Sequence, residues 1–201
     1  MRIRLIIPLL ACAALAVPAV ASATVMKVTS GSAQLALSSA ASTQLSSAGI
    51  TVTPTTPTTV SGSTYTFPIA GGRVAVAPKL SALLALQGGF QLSSTSGNLT
   101  VAGLRAIGHG QTGWLFARTR ALKHPCRVLG DGQVRARCVI RRLLASKRIA
   151  KITGLTRTGL TATGTAQLTR FSARQLDRLA GKPIASAGEP IGTVTFTVAV
   201  S

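Results

Sequence analysis

Acidic side chains are almost absent from this sequence. Only 3 of its 201 residues are Asp or Glu, against 22 Lys and Arg, and the formal net charge is +19. Enzymes that use a pair of carboxylates as general acid and base are hard to build from Asp131, Asp177 and Glu189 alone. The excess of positive charge instead predicts anionic partners.

Aromatic residues and cysteines are also scarce. Five Phe, one Tyr and one Trp make up 3% of the chain, and there are 3 cysteines. This excludes a disulfide-dense miniprotein, and it disfavours nucleic acid as a partner because only Trp114 offers a stacking platform near the basic residues. Hydrophobic residues reach 46%, with abundant Gly, Ala, Val, Ser and Thr, which is enough for a packed core and typical of a β-rich domain.

The first 23 residues have the pattern of a secretory signal peptide. Two arginines precede an apolar run over residues 5–20, and small residues at positions 21–23 form a cleavage site. The run is shorter than the roughly 20 residues that a membrane-spanning helix needs. We therefore expect cleavage before Thr24, no membrane span in the mature chain, and a secreted, cell-envelope-associated domain of residues 24–201.

The two cysteines after the signal peptide frame a predicted hairpin. Cys126 and Cys138 flank residues 127–137, which carry Gly-Asp-Gly near their centre, a pattern typical of a tight turn. Symmetric pairing places the two cysteines opposite each other, within reach of a disulfide. A metal site of His124 with both cysteines is the alternative, although it lacks a fourth ligand and lies among cations. The third cysteine, Cys12, leaves lipidation of the leader open.

The densest positive charge surrounds this hairpin. From Arg118 to Arg157 there are twelve Lys and Arg and a single acid. We expect the hairpin face opposite the cysteines, with the residues that follow it, to bind an anionic cell-wall polymer, a polysaccharide or a lipid surface. The alternative is a solvated face that only keeps the protein soluble. The candidate anion-binding residues are Arg127, Arg135, Arg137, Arg141 and Arg142.

Much of the remaining chain alternates apolar and polar residues in short segments. This two-residue period, clear at residues 32–37 and 194–198, predicts strands separated by Gly, Ser and Thr. The sequence therefore predicts an all-β, β-sandwich-like single domain with two short helices.

The two helical segments, residues 41–49 and 173–181, each follow a copy of Gly-x-Ala-Gln-Leu. Ser172 with Gln175 predicts the N-terminal cap of the second helix, and Gly181 predicts its C-terminal end. Nothing recurs at a fixed period between the two copies, which indicates shared fold geometry and not a repeat array.

Residues 65–72, 88–101 and 163–173 carry a characteristic order of motifs. They read Tyr-Thr-Phe-Pro-Ile-Ala-Gly-Gly, then Gly-Gly-Phe-Gln-Leu-Ser-Ser-Thr-Ser-Gly-Asn-Leu-Thr-Val, then Thr-Gly-Thr-Ala-Gln-Leu-Thr-Arg-Phe-Ser-Ala. In this order the chain resembles the HtaA domain, a secreted bacterial β-sandwich with two short helices that binds haem. The resemblance implies the same fold and a binding role.

The positions at which that family holds haem carry other residues here. By the resemblance, the iron-ligating Tyr falls at Leu45, and its partner His falls at Ser94 or the residue before it. A further aromatic falls near Leu179. Haem is therefore a candidate cofactor only through replaced ligands. The residues able to replace them are Tyr65, His109 and His124.

Sequence motifs of the common catalytic classes are missing. Gly-x-Ser-x-Gly and the phosphate-binding loop do not occur in the sequence. A Ser/His/Asp triad could be composed from Asp131, one of the two histidines and a serine, but no spacing forces them together. We therefore predict a secreted, non-enzymatic binding or structural module with a basic face. Haem binding with replaced ligands is the alternative, and an unrecognised hydrolase is the second alternative.

Overall fold

Small and β-branched residues place most of the described chain in strands. The structure, a computed structural model, describes residues 24–76, 81–110, 112–121, 140–146, 149–153 and 158–201. Within these ranges the chain is mainly β with two short helices, which confirms the predicted all-β class. In chain order the elements are β1 (Val25–Leu37), α1 (Ser39–Ser47), β2 (Thr51–Thr55), β3 (Thr59–Ser61), β4 (Thr64–Ala75), β5 (Ser81–Leu86), β6 (Gly89–Ser94), β7 (Gly97–His109), β8 (Thr112–Ala121), β9 (Ile140–Ser146), β10 (Ile149–Thr153), β11 (Gly159–Leu168), α2 (Arg170–Ala180) and β12 (Pro190–Val200).

The strands form one 12-stranded antiparallel sheet that closes on itself. The order is β2-β6-β7-β5-β4-β1-β12-β11-β9-β8, and β8 also pairs with β7. Short β3 pairs with β4, and β10 pairs with β11. The layers expected of a sandwich are thus parts of one continuous sheet, from which β6 and β2 extend.

Strand β12 lies between β1 and β11. It pairs with β1 from Val200 opposite Val28 to Gly192 opposite Leu37. Its other edge pairs with β11, where Val198 lies opposite Leu160. Val198, Val200 and Leu160 are all buried, so alternate residues of these strands face the interior.

The core consists of inward-facing apolar side chains from strands around the closed sheet. Val28, Val74, Val101 and Leu104 are the largest fully buried side chains, and they come from β1, β4 and β7. Burying an aliphatic side chain of this size contributes roughly 1.5–3 kcal/mol. Apolar packing therefore fixes the scaffold on which the helices rest.

Both helices begin at a side-chain cap directly after a strand. Ser38 Oγ accepts the Ala41 amide at the start of α1. Thr169 Oγ1 accepts the Ser172 amide at the start of α2, so the predicted cap at Ser172 is wrong. The helix starts three residues earlier because Thr169, which follows β11 at once, supplies the same hydroxyl acceptor. Gly181 ends α2 at φ 69°, as predicted.

Candidate functional site

A cavity of about 100 Å³ lies between the two helices and the sheet. Leu45 of α1 and Phe171 and Leu176 of α2 form the helical part of its wall, and strand residues form the rest. The lining is almost entirely apolar. The polar side chains that line it are Gln44, Tyr65, Ser172 and Gln175.

The two copies of Gly-x-Ala-Gln-Leu meet at this cavity. Leu35 ends the first copy and Leu168 ends the second, and both are buried and line the cavity. Each copy leads from a strand into a capped helix, so the sequence similarity reflects two related strand-to-helix junctions beside one space. The prediction of shared fold geometry is consistent with this arrangement.

Tyr65 is the candidate haem ligand that lines this cavity. It lies on β4 opposite Leu35 of β1, and its side chain is only 9% exposed. Burial raises the pKa of the Tyr65 phenol above its ordinary value, because the charged phenolate would lose its hydration. The phenol is therefore harder to ionise in the folded protein than in water.

The positions that the family resemblance assigned to haem do not all border this cavity, because Ser94 and Leu179 are not part of its lining. Leu45 lines the cavity, and Ser94 Oγ donates a 2.6 Å hydrogen bond to the carbonyl oxygen of Leu179. Leucine and serine are not residues that ligate haem iron. The side chains at these positions do not fit an iron-ligated haem.

His109 lies apart from Tyr65. It is exposed at the end of β7, where it pairs with Ser81 of β5 and Thr112 of β8. It lines neither the helix-side cavity nor a second apolar cavity of about 80 Å³ inside the closed sheet. The structure therefore does not bring these two candidate ligands together.

Most of the predicted hairpin site falls outside the described residues. This applies to the predicted disulfide, to the alternative metal ligands and to three of the arginines, namely Cys126, Cys138, His124, Arg127, Arg135 and Arg137. Arg141 and Arg142 lie in β9, opposite Ala117 and Phe116 of β8. Across the described ranges no group of three His, Cys, Asp or Glu could hold a metal ion. Nor does the described part include a helix long and apolar enough to cross a membrane.

The two acids in the described part of the chain accept internal hydrogen bonds. Asp177 Oδ1 accepts the backbone amides of Ile184 and Ala185 at 2.8 and 3.1 Å. Glu189 accepts the Ser186 amide at 2.8 Å and Gln44 Nε2 at 3.1 Å. Both carboxylates therefore hold the segment between α2 and β12.

The basic side chains are placed differently. Every Lys and Arg whose side-chain surroundings are described is exposed, namely Lys27, Arg73, Arg105, Arg170, Arg174, Arg178 and Lys182. From the sequence, Arg174 and Arg178 are expected to form a surface ion pair with Asp177, and the three arginines of α2 are not proposed as an anion site, although their spacing of four residues was the available signal.

Comparison with solved structures identifies the fold. No protein-family model matches the sequence, and no curated protein matches it. The C-terminal domain of HtaA from Corynebacterium glutamicum superposes with a TM-score of 0.65 at 14% identity, over 88% of this chain and 99% of that domain. The N-terminal domain of the same HtaA gives 0.61 at 13% identity, over 87% and 98%. The haem-binding protein HtaB from that organism gives 0.54 at 14% identity, over 89% and 96%. By its fold, this chain is an HtaA-like domain.

Proposed function

We propose that this chain is a secreted, cell-envelope-associated binding module without catalytic activity, and that its basic surface holds anionic polymers or surfaces. One observation carries the proposal: the acids and the bases of the described chain are segregated. Asp177 and Glu189 are engaged in internal hydrogen bonds, whereas all seven basic side chains with described surroundings are exposed.

This segregation produces a surface field of one sign. A single exposed charge interacts weakly in water, but many charges of one sign sum to a potential of several kT over the surface. Such a potential attracts polyanions, which release their condensed counterions on binding. The same excess of positive charge continues along the sequence, in Arg141 and Arg142 of β9 and in the hairpin arginines Arg127, Arg135 and Arg137.

The test is binding of the purified protein to immobilised polyanions across a range of salt concentrations. Wild type should bind, with affinity that falls steeply as salt rises. Gln at Arg127, Arg135 and Arg137 should weaken binding and lower the slope of log affinity against log salt by roughly 0.7 per lost contact. The matched control removes the same charge at Lys27, Arg73 and Lys79.

Three outcomes of this binding experiment distinguish a hairpin site, a general effect of charge and a solvated face. Wild-type protein that binds no anionic polymer or surface at low salt would overturn the proposal. Equal losses in the two triple variants would show that overall charge matters and that the hairpin is not a site. Unchanged binding in both variants would assign the hairpin to a solvated face.

A second candidate function is haem binding with replaced ligands. It is favoured by Tyr65, because tyrosine ligates haem in some proteins and this one lines the cavity beneath the helices. The fold shared with the haem-binding protein HtaB points the same way. The raised pKa of the phenol and the side chains at Leu45 and Ser94 place this candidate second.

Haem titration of the purified protein, followed by absorbance, tests this second candidate. A Soret band that shifts in Tyr65→Phe, His109→Ala or His124→Ala would establish ligation by that residue. A spectrum that none of these changes alters would show adventitious association.

A further inference from the structure

Helix α2 is sharply divided into a basic side and an apolar side. Arg170, Arg174 and Arg178 recur every four residues and are all exposed. The apolar residues of the helix pack against the core: Phe171, Ala173, Leu176, Leu179 and Ala180. With a rise of 1.5 Å per residue, neighbouring arginines are about 6 Å apart along the axis, so the row is about 12 Å long.

The α2 arginine row, as we name Arg170, Arg174 and Arg178, has no ion-pair partner in the described part of the chain. Asp177, the acid on the same helix, uses Oδ1 to accept the amides of Ile184 and Ala185. Three neighbouring cations on one helix repel each other, so an external anion would be favoured there.

The row begins beside another basic segment. Leu168, two residues before Arg170, pairs with Leu144 of β9, and Arg141 and Arg142 belong to that strand. The start of α2 therefore lies next to a strand that carries two candidate anion-binding residues.

We propose that the α2 arginine row is a binding site for a linear, phosphate-bearing polymer. This inference rests on the proposed function and gives it a location. A guanidinium group forms two parallel hydrogen bonds to a phosphate, and a row of three such groups can contact successive anions of one polymer chain. The choice of arginine at all three positions matches this chemistry better than lysine would.

Two observations favour a phosphate polymer over other anionic partners. The aromatic side chain of α2, Phe171, packs against the core, so the row offers no stacking platform for sugars or bases. The other apolar side chains of α2 are also packed against the protein, which leaves no apolar face of the helix to insert into a membrane. Recognition by the row is therefore confined to charge and hydrogen bonding.

The test uses long-chain inorganic polyphosphate as the probe and three forms of the protein. The α2 variant carries Gln at Arg170, Arg174 and Arg178, and the control carries Gln at Lys27, Arg73 and Arg105, which are exposed on β1, β4 and β7. The α2 variant should bind at least tenfold more weakly, with a salt slope lower by about 2, as expected for three lost contacts. The control should lose markedly less. Lys at the three α2 positions should recover part of the affinity.

Thermal unfolding of each variant checks that the helix is intact, since glutamine is a good helix former. Equal losses in the α2 variant and the control would overturn the inference and leave the proposed function standing. No binding of polyphosphate, heparin or anionic vesicles by wild type would overturn both. The last outcome is a wild type that fails to bind polyphosphate but binds anionic vesicles or heparin, with the α2 variant binding them more weakly. That result would overturn the phosphate polymer as the ligand and indicate a membrane or a polysaccharide.

Discussion

The backbone amide of Ile184 donates a 2.8 Å hydrogen bond to Asp177 Oδ1, which ties the segment after α2 back onto the helix. On its other side, the carbonyl oxygen of Ile184 accepts a hydrogen bond from Gln44 Nε2 of α1. Ile184 is thus held by side chains from both helices. This segment fixes the helices relative to each other and to the cavity between them.

Replacing Asp177 with Ala should lower the free energy of unfolding by about 2 kcal/mol, because two partly buried amides lose a charged acceptor. Asp177→Asn keeps an oxygen acceptor and should lose less. Urea unfolding measures both variants. An alanine variant as stable as wild type would show that the two hydrogen bonds contribute nothing.

Tyr65 is the one tyrosine, so its ionisation can be followed directly by phenolate absorbance. Burial raises its folded pKa above the ordinary 10.0, so the titration midpoint should be higher in the folded protein than in denaturant. The neutral phenol contributes stability that is complete below the unfolded pKa and is lost as pH rises through the folded pKa. The free energy of unfolding of wild type should therefore fall at alkaline pH, and Tyr65→Phe should remove that part of the fall. Identical midpoints in the two states would contradict the effect of burial.

Gly192 is needed where β12 passes β1. Its φ is +155°, and a Cβ built there would overlap the carbonyl oxygen of Ala36. Gly192→Ala should therefore cost about 3 kcal/mol or more, through backbone clash and strain together. Gly49→Ala is the matched control, because Gly49 also has a positive φ, +66°, but its Cβ would meet nothing within 4 Å. Similar thermal shifts for the two variants would refute the clash.

The two mature cysteines remain predicted partners. If Cys126 and Cys138 are bridged, thiol labelling of the unfolded, unreduced protein should find no free sulfhydryl from either residue. Closing the loop should stabilise the protein by about 3 kcal/mol, so reduction should lower the melting temperature. Two labelled thiols, or stoichiometric zinc in the purified protein, would rule out the disulfide.

The strand pattern and the helix positions could be predicted because both depend on local sequence. A local signal is misleading at Pro54. Proline predicts a loop, but Pro54 lies in β2 opposite Phe90. β2 is the last strand at one end of the sheet order, so one of its edges has no partner strand among the described residues. A proline has no backbone N–H to donate, and this costs little stability in an edge strand. Thr169 shows the same limit, since its hydroxyl and that of Ser172 are both possible caps, and the end of strand β11 decides which one is used.

Long-range features could not be predicted in this way. Alternation states which residues face inward, but not that β8 would find β7 and close the sheet. The cavity is lined by both Leu35 and Leu168, and only their shared motif indicated a relation between them. The resemblance singled out Ser94 and Leu179, but it could not predict the hydrogen bond between them.

The place of β12 in the sheet also has a consequence for the order in which the protein can fold. This strand is synthesised after every other described strand, yet it supplies the pairing that joins β1 to β11. Until residues 190–200 have been synthesised, β1 and β11 each keep an exposed edge and the sheet cannot close between them. Contacts between residues so distant in sequence form slowly. The closed sheet can therefore form only after β12 has been synthesised, however early the other strands have paired.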